Sequence, residues 1–261
     1  MKSGLQWICV ISVGMVVTWS MSAFAQRPIY LGPIFLGYDL DMPDNPSVEQ
    51  QVAAGKKQIV YLRQEDATLD SDHAVYEYFN SITVRLLEHS DTRPPFPIEV
   101  HVSMHPIVNA EALPGGIVVV FRQIFDLADT EGELVAILAH ELAHQLHNDF
   151  LLFWHAYKTD APVFGSDGVL EISQTAESRA DATGARLMYA AGWDPKQMVG
   201  QFRHLDSRGV IARGGRQTTY STHPKARDRI KAIEGLIATF PPREGVIQDS
   251  SRFQELKRKS S

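Results

Sequence analysis

Apolar residues along the chain follow two kinds of rhythm. From Ser47 to about Gln64, and again from about Ser71 to His89, they recur at the spacing of an amphipathic helix, and Val75, Tyr78, Phe79, Ile82 and Leu86 make one face of the second run. A third run, Thr130 to His147, carries Leu134, Ile137, Leu138 and Leu142 on one stripe. Thr130 offers it an N-cap oxygen and Glu133 completes a capping box. A fourth passes through Glu177 and Asp181 to about Ala191, where Gly192 and then Pro195 close it. A fifth follows Pro224 with Arg227, Arg229, Ile230, Ile233 and Leu236. The other rhythm is alternation. After Pro94, Pro95 and Pro97 the residues Ile98-Glu99-Val100-His101-Val102 read as a strand, Ile117 to Phe121 as another, and Pro114-Gly115-Gly116 as the turn between them. The pattern predicts an α+β fold, mainly helical, with a small β-sheet beside the helix of 130–147.

Two stretches keep neither rhythm. Gln26 to Pro46, rich in proline, glycine and aspartate, predicts an extended or loosely docked arm. Asn148 to Gln174 mixes Trp154, His155, Tyr157 and Phe164 with Gly165 and Gly168 and predicts a loop or flexible lid. The aromatic group Tyr76, Tyr78 and Phe79 reads as core and its rim rather than as a substrate platform.

Met1 to Ala25 has a lysine, an apolar stretch from Leu5 to Thr18 and the small-residue ending Ala23-Phe24-Ala25, the form of a cleavable secretory leader. The apolar stretch is shorter than the ~20 residues of a membrane span, so no stable span is expected after cleavage. The one cysteine, Cys9, lies inside this leader, and a chain without thiols suits an oxidising compartment. The expected divisions are a leader at 1–25, an arm at 26–46, one domain at 47–240 and a polar tail at 241–261, whose Lys257-Arg258-Lys259 run reads as solvated. A formal charge of -6 without a concentrated basic face argues against a nucleic-acid partner. Nothing in the pattern sets an oligomeric state.

The third helix contains His140-Glu141-Leu142-Ala143-His144. Residues four apart share a helix face, so both imidazoles can reach one ion. Their neighbours Ala139, Leu142 and Ala143 imply burial, where unpaired imidazoles and an unpaired glutamate are costly. Glu177 and Asp181, also four apart, place two carboxylates on one face of the fourth helix. An acid near a helix start has an ordinary explanation in the helix dipole; the pairing with Asp181 argues for ligation instead. Two imidazoles and a carboxylate leave a fourth tetrahedral position open, the mark of a catalytic zinc. In this reading His140, His144 and Glu177 hold one Zn2+ per chain, and Glu141 takes a proton from water and returns it to a leaving amine. Asp181 accepts the other ring N–H of a zinc histidine. His147 and His155 read as ordinary side chains.

Beyond these residues, Asn109-Ala110-Glu111-Ala112-Leu113-Pro114-Gly115-Gly116 precedes the zinc helix. The Glu177 segment continues through Gly184 to Ala191-Gly192-Trp193-Asp194-Pro195, and Ser221-Thr222-His223-Pro224 with Arg229-Ile230 follows. Over about 105–230 the chain resembles the bacterial M48 metallopeptidases of the gluzincin group, close in kind to periplasmic quality-control proteases. The resemblance implies a mainly helical, zincin-like (gluzincin) metallopeptidase domain at 47–240. It also implies a zinc endopeptidase acting on envelope polypeptides, misfolded or unassembled, in the periplasm, with secretion the lesser alternative.

The resemblance maps His223 onto a histidine that reaches the active site, supported by Arg229, and the two would stabilise the oxyanion of the reacting carbonyl. Alternatively His223 fills the fourth zinc position as a latch. An edge strand beside the zinc helix would pair with extended substrate. Ile117 to Phe121 is the strand expected to do so, with Gly115 and Gly116 permitting close approach or simply making a tight turn. One departure is visible: the family usually has an acidic residue where Arg179 stands, which should alter charge around the site without removing zinc. A rival of another class is a non-catalytic or latched chaperone-like zinc protein assisting envelope assembly; the intact Glu141 argues against it.

Overall fold

The computed structural model describes residues 42–65, 73–104, 108–158, 167–207 and 226–260, together with the backbone of four short strands before them. Those strands form two antiparallel hairpins: β1 (Ile8–Ile11) with β2 (Met15–Thr18), and β3 (Ile29–Leu31) with β4 (Ile34–Gly37). Two helices follow, α1 (Val48–Glu65) and α2 (His73–Glu88), where the apolar spacing places them.

The sheet that positions the site has three strands, β5 (Glu99–Ser103), β6 (Ala110–Leu113) and β7 (Ile117–Phe121), in the order β5-β7-β6. β7 runs parallel to β5 and antiparallel to β6. The strand expected at the sheet edge, Ile117–Phe121, is therefore central, and the edge nearest the zinc helix belongs to β6. The reason is visible in its composition: Ile-Val-Val-Val-Phe is apolar at every position and buried throughout, as a strand covered on both faces must be. On one face Val100, Val102, Ala110, Val118 and Val120 join the main core with Phe79 and Leu86 of α2 and with Leu134, Leu138 and Leu142. On the other, Leu113, Ile117, Val119 and Phe121 meet Ile59 and Leu62 of α1.

Gly115 and Gly116 sit at φ 72° and 94° in a tight turn between β6 and β7. A Cβ at Gly115 would fall 2.4 Å from the Val52 backbone of α1, and one at Gly116 would fall 2.0 Å from the Pro97 carbonyl oxygen. Backbone conformation and close packing both require glycine here.

After α3 (Arg122–Leu127) comes the zinc-motif helix, α4 (Glu131–His147). Thr130 caps it as expected, its side chain accepting from the Glu133 N–H, and Asn148 ends it in the left-handed region at φ 48°. The expected lid does not begin there. Residues 149–158 form α5 (Asp149–Lys158), and α6 (Asp167–Ala191) starts well before the paired carboxylates. The helical period of α5 was hidden because apolar residues run unbroken from Phe150 to Trp154: Leu152 is exposed and Leu151 half-buried, while Phe150, Phe153 and Trp154 are the residues it buries. Those three pack with Met42, Ala54 and Ala176, and the Trp154 indole N–H donates to the Pro43 carbonyl at 2.8 Å, so the end of the expected arm is docked.

The chain finishes with α7 (Lys196–Ser207), α8 (Ala226–Ile237) and α9 (Ser251–Ser260). The tail expected to be solvated is thus partly a helix seated on the core. Phe253 is fully buried, and Lys257 Nζ donates to the carbonyls of Asp126 at 2.7 Å and Ala128 at 2.8 Å, closing the end of α3. Ahead of α9, Gln248 accepts the Gly132 N–H at 2.8 Å and Asp249 the Glu131 N–H at 3.0 Å, so the C-terminal segment satisfies the first turn of α4. Among the described residues no helix is long and apolar enough to cross a membrane.

Candidate metal centre

α4 and α6 cross so that one turn of each faces the other. His140 and His144 present their Nε2 atoms 3.2 Å apart. Glu177 of α6 reaches both, its Oε2 3.4 Å from His140 Nε2 and its Oε1 3.3 Å from His144 Nε2. All three side chains are buried, and one donor atom from each lies within 4.8 Å of the others.

Each imidazole is held from behind at Nδ1. Asp181 Oδ1 lies 3.0 Å from His140 Nδ1, and Asp149 Oδ2 lies 2.7 Å from His144 Nδ1. Fixing the proton on Nδ1 leaves the Nε2 lone pair for a metal. Asp181 is gripped in turn by Arg229, whose Nε and one terminal nitrogen each donate at 2.7 Å, while the other terminal nitrogen lies 2.9 Å from Glu177 Oε2. The ring of Phe202 lies beneath that guanidinium, 4.5 Å from its central carbon. Arg229, expected to serve an oxyanion, is therefore buried with its nitrogens on carboxylates. Arg179 donates to Asp149 Oδ1. His223 lies outside the described residues.

The electrostatics follow from this arrangement. Burial works to lower the His144 pKa, but Asp149, Glu177 and Glu141 outweigh it and push it up to about 10. His140 is opposed by burial and raised by Glu177 and Asp181 in the same way. Burial would raise Asp181, yet the Arg229 charge and hydrogen bonds, with His140, hold it below the ordinary carboxylate range.

Glu141 is buried beside the histidines, and its Oε2 has no hydrogen-bond partner among the described residues. An orphaned carboxylate oxygen next to two imidazoles and a carboxylate fits a metal with one water-bearing position. Its charge is felt by Glu111 of β6, also buried, which burial and then the Glu141 charge raise to about 7 against a hydrogen bond from Asn109.

Sequence reasoning missed Asp149. It lies just past the Asn148 helix stop, and only the left-handed turn there folds it back beneath His144; Asn148-Asp149 after a helix hints at the stop but not at the contact. The role of Glu111 was missed as well, since strand alternation does not say which carboxyl faces another. His147 lies 2.8 Å from Thr183 Oγ1 and His155 lies 3.1 Å from Asn45 Oδ1. A second His and carboxylate group, Asp129, Glu133 and His204, reads as the cap of α4: Glu133 Oε2 accepts the Asp129 N–H at 2.8 Å and lies 3.0 Å from His204 Nδ1.

The family description Peptidase family M48 matches residues 76–157 and 152–237. The chain is similar to the mitochondrial metalloendopeptidase OMA1 of Schizosaccharomyces pombe, 30% identical over 205 residues that cover 71% of this chain and 60% of that protein. It is also similar to the beta-barrel assembly-enhancing protease of Yersinia pestis, 27% identical over 183 residues covering 58% of this chain and 37% of that protein. A further mitochondrial OMA1, from Arabidopsis thaliana, is 28% identical over 151 residues, 52% of this chain and 30% of that one. The chain thus spans less than two thirds of the length of these relatives. A family match running through both halves of the site, from the strands before α4 to the helix that carries Arg229, places the chain in peptidase family M48.

Proposed function

We propose that this protein is a zinc-dependent endopeptidase whose single zinc is held by His140, His144 and Glu177. The observation that carries the proposal is the convergence of those three buried donors, with the buried Glu141, next in sequence to His140, left with an unpartnered Oε2. When bound, the ion supplies Lewis-acid polarisation and makes water a stronger acid. Glu141 accepts the proton of the attacking water at Oε2 and delivers it to the departing amine nitrogen. Asp181 keeps the proton of His140 on Nδ1, and Arg229 holds Asp181 and Glu177 in register from the far side, a positioning role. His223 is assigned to the developing oxyanion by family resemblance, and backbone pairing with an extended substrate to β6, the strand with a sheet edge beside α4.

The substrates in this reading are envelope polypeptides that have misfolded or failed to assemble, in a periplasm reached through the leader at 1–25. The similarity to the Yersinia pestis protease, which is named for enhancing β-barrel assembly, supports that class.

The test is zinc content and casein cleavage of the purified protein beside Glu141→Gln. One zinc per chain in both, with cleavage in the wild type alone, is the expected result. Zinc in both and cleavage in neither would favour the latched or chaperone-like alternative, and absence of zinc from both would end the metallopeptidase reading.

A further inference from the structure

The fold treats the two histidines of the motif alike although the sequence does not. Behind His140 stands a carboxylate, Asp181, clasped by a guanidinium, Arg229. Behind His144 stands Asp149, with Arg179 on its other oxygen. The first pair comes from α6 and α8. The second is assembled from the start of α5 and from α6, two residues beyond Glu177. One face of α6 thus presents Glu177 to the metal position and Asp181 to one imidazole, while Arg179, between them in sequence but off that face, reaches the carboxylate behind the other.

The Asp149 side chain is completely buried, and a carboxylate in that position without compensation is strongly unfavourable. It has two partners. Oδ2 takes the N–H of His144, the bond that fixes the tautomer a metal needs, and Oδ1 takes Arg179. The guanidinium, 41% exposed in its side chain, lies between this buried carboxylate and solvent. An acid at 179 would instead set two carboxylates against each other at Asp149 Oδ1. Removing the charge at 179 would leave the buried Asp149 without its cation.

Building on the zinc reading above, we infer that Asp149 is the positioning residue for His144 and that Arg179 is the counter-ion that makes it serviceable, so that residues 149 and 179 act as one unit in metal affinity. Neither touches substrate or metal. Loss of either should loosen zinc without deleting a ligand, and the effects of losing both should not multiply.

The experiment is a chelator competition for zinc on the full chain, with the cobalt(II) absorption spectrum as a second readout of ligand geometry and thermal unfolding of the zinc-free forms as the folding control. The variants are Asp149→Asn, Arg179→Glu, Arg179→Lys and the double variant Asp149→Asn with Arg179→Glu. Asp149→Asn and Arg179→Glu are each expected to weaken zinc about 10–100-fold and to alter the cobalt spectrum. Arg179→Lys should restore affinity to within a few-fold of wild type, and the double variant should be no worse than the weaker single. Wild-type affinity and spectrum in Asp149→Asn would overturn the inference while leaving the peptidase reading intact, as would losses that multiply in the double variant. Should Asp149→Asn fail to fold, the contrast between Arg179→Glu and Arg179→Lys decides alone, because 179 is half exposed; equal zinc affinity in those two would overturn it. A wild type that binds no zinc would remove both readings.

Discussion

Glu111 is a carboxyl that the site carries against its solvation preference. It sits on β6 with Asn109 donating to it, and burial first and the Glu141 charge second raise it to about 7 from an ordinary 4.5. Between those two values the native state holds a proton that the unfolded chain has released, so stability falls as pH rises from about 4.5 to about 7 and is level above. Glu111→Gln, which keeps the shape and removes the charge, is expected to stabilise the zinc-free protein by about 1–3 kcal/mol at pH 8 and by almost nothing at pH 4.5. Urea denaturation at the two pH values measures it; equal effects at both would mean that Glu111 is not desolvated as its surroundings indicate. At this scale the sequence was legible where helical spacing does the work. His140, His144, Glu177 and Asp181 are each paired at four residues, and the structure brings the four together. Asp149 and Glu111 were illegible because their partners lie on other elements, joined by a left-handed turn in one case and by strand register in the other.

Elements were legible in proportion to how far their own residues determine them. α1, α2 and α4 follow their apolar stripes, and the cap of α4 lies at Thr130 as its capping box predicts. β6 and α9 owe their form to what they pack on. α9 carries one deeply buried anchor, Phe253, whose ring stands edge-to-face with Phe125 at 5.5 Å and beside Tyr78 at 6.4 Å. Lys257 adds a cap for α3. A single aromatic in a run of charged residues gives no period to read, so the segment resembled a tail. Phe253→Ala is expected to cost about 3–5 kcal/mol, seen as a lower denaturation midpoint with an unchanged slope. A loss below about 1 kcal/mol would mean that α9 does not hold its place in solution. The consequence extends to the site, because Gln248 and Asp249, just ahead of α9, satisfy the first N–H groups of the helix that bears both histidines.

For the whole molecule, the buried centre joins α4, α5, α6 and α8, so metal binding and folding are one equilibrium seen from two sides. Without zinc, the carboxylates around His144 must be answered by protons. Its folded pKa of about 10 lies above the ordinary 6.5, so in the zinc-free protein its protonation contributes stability that is complete below about pH 6.5 and is lost as pH rises towards 10. With zinc, both histidines must be neutral at Nε2, and that contribution is replaced by the metal. The difference in stability between zinc-loaded and zinc-free protein should therefore widen as pH increases from about 6.5, because protons compete with the ion ever less. Melting temperatures with and without a chelator at pH 6, 7.5 and 9 are expected to diverge progressively. Zinc binding at pH 7.5 should release at least one proton, visible as a dependence of the binding enthalpy on the ionisation enthalpy of the buffer. A gap independent of pH, with no proton release, would mean that the histidines are already neutral before the metal arrives. The carboxylates around them would then be balanced by Arg229 and Arg179 alone, and those two arginines, rather than the imidazoles, would set how tightly the empty site holds together.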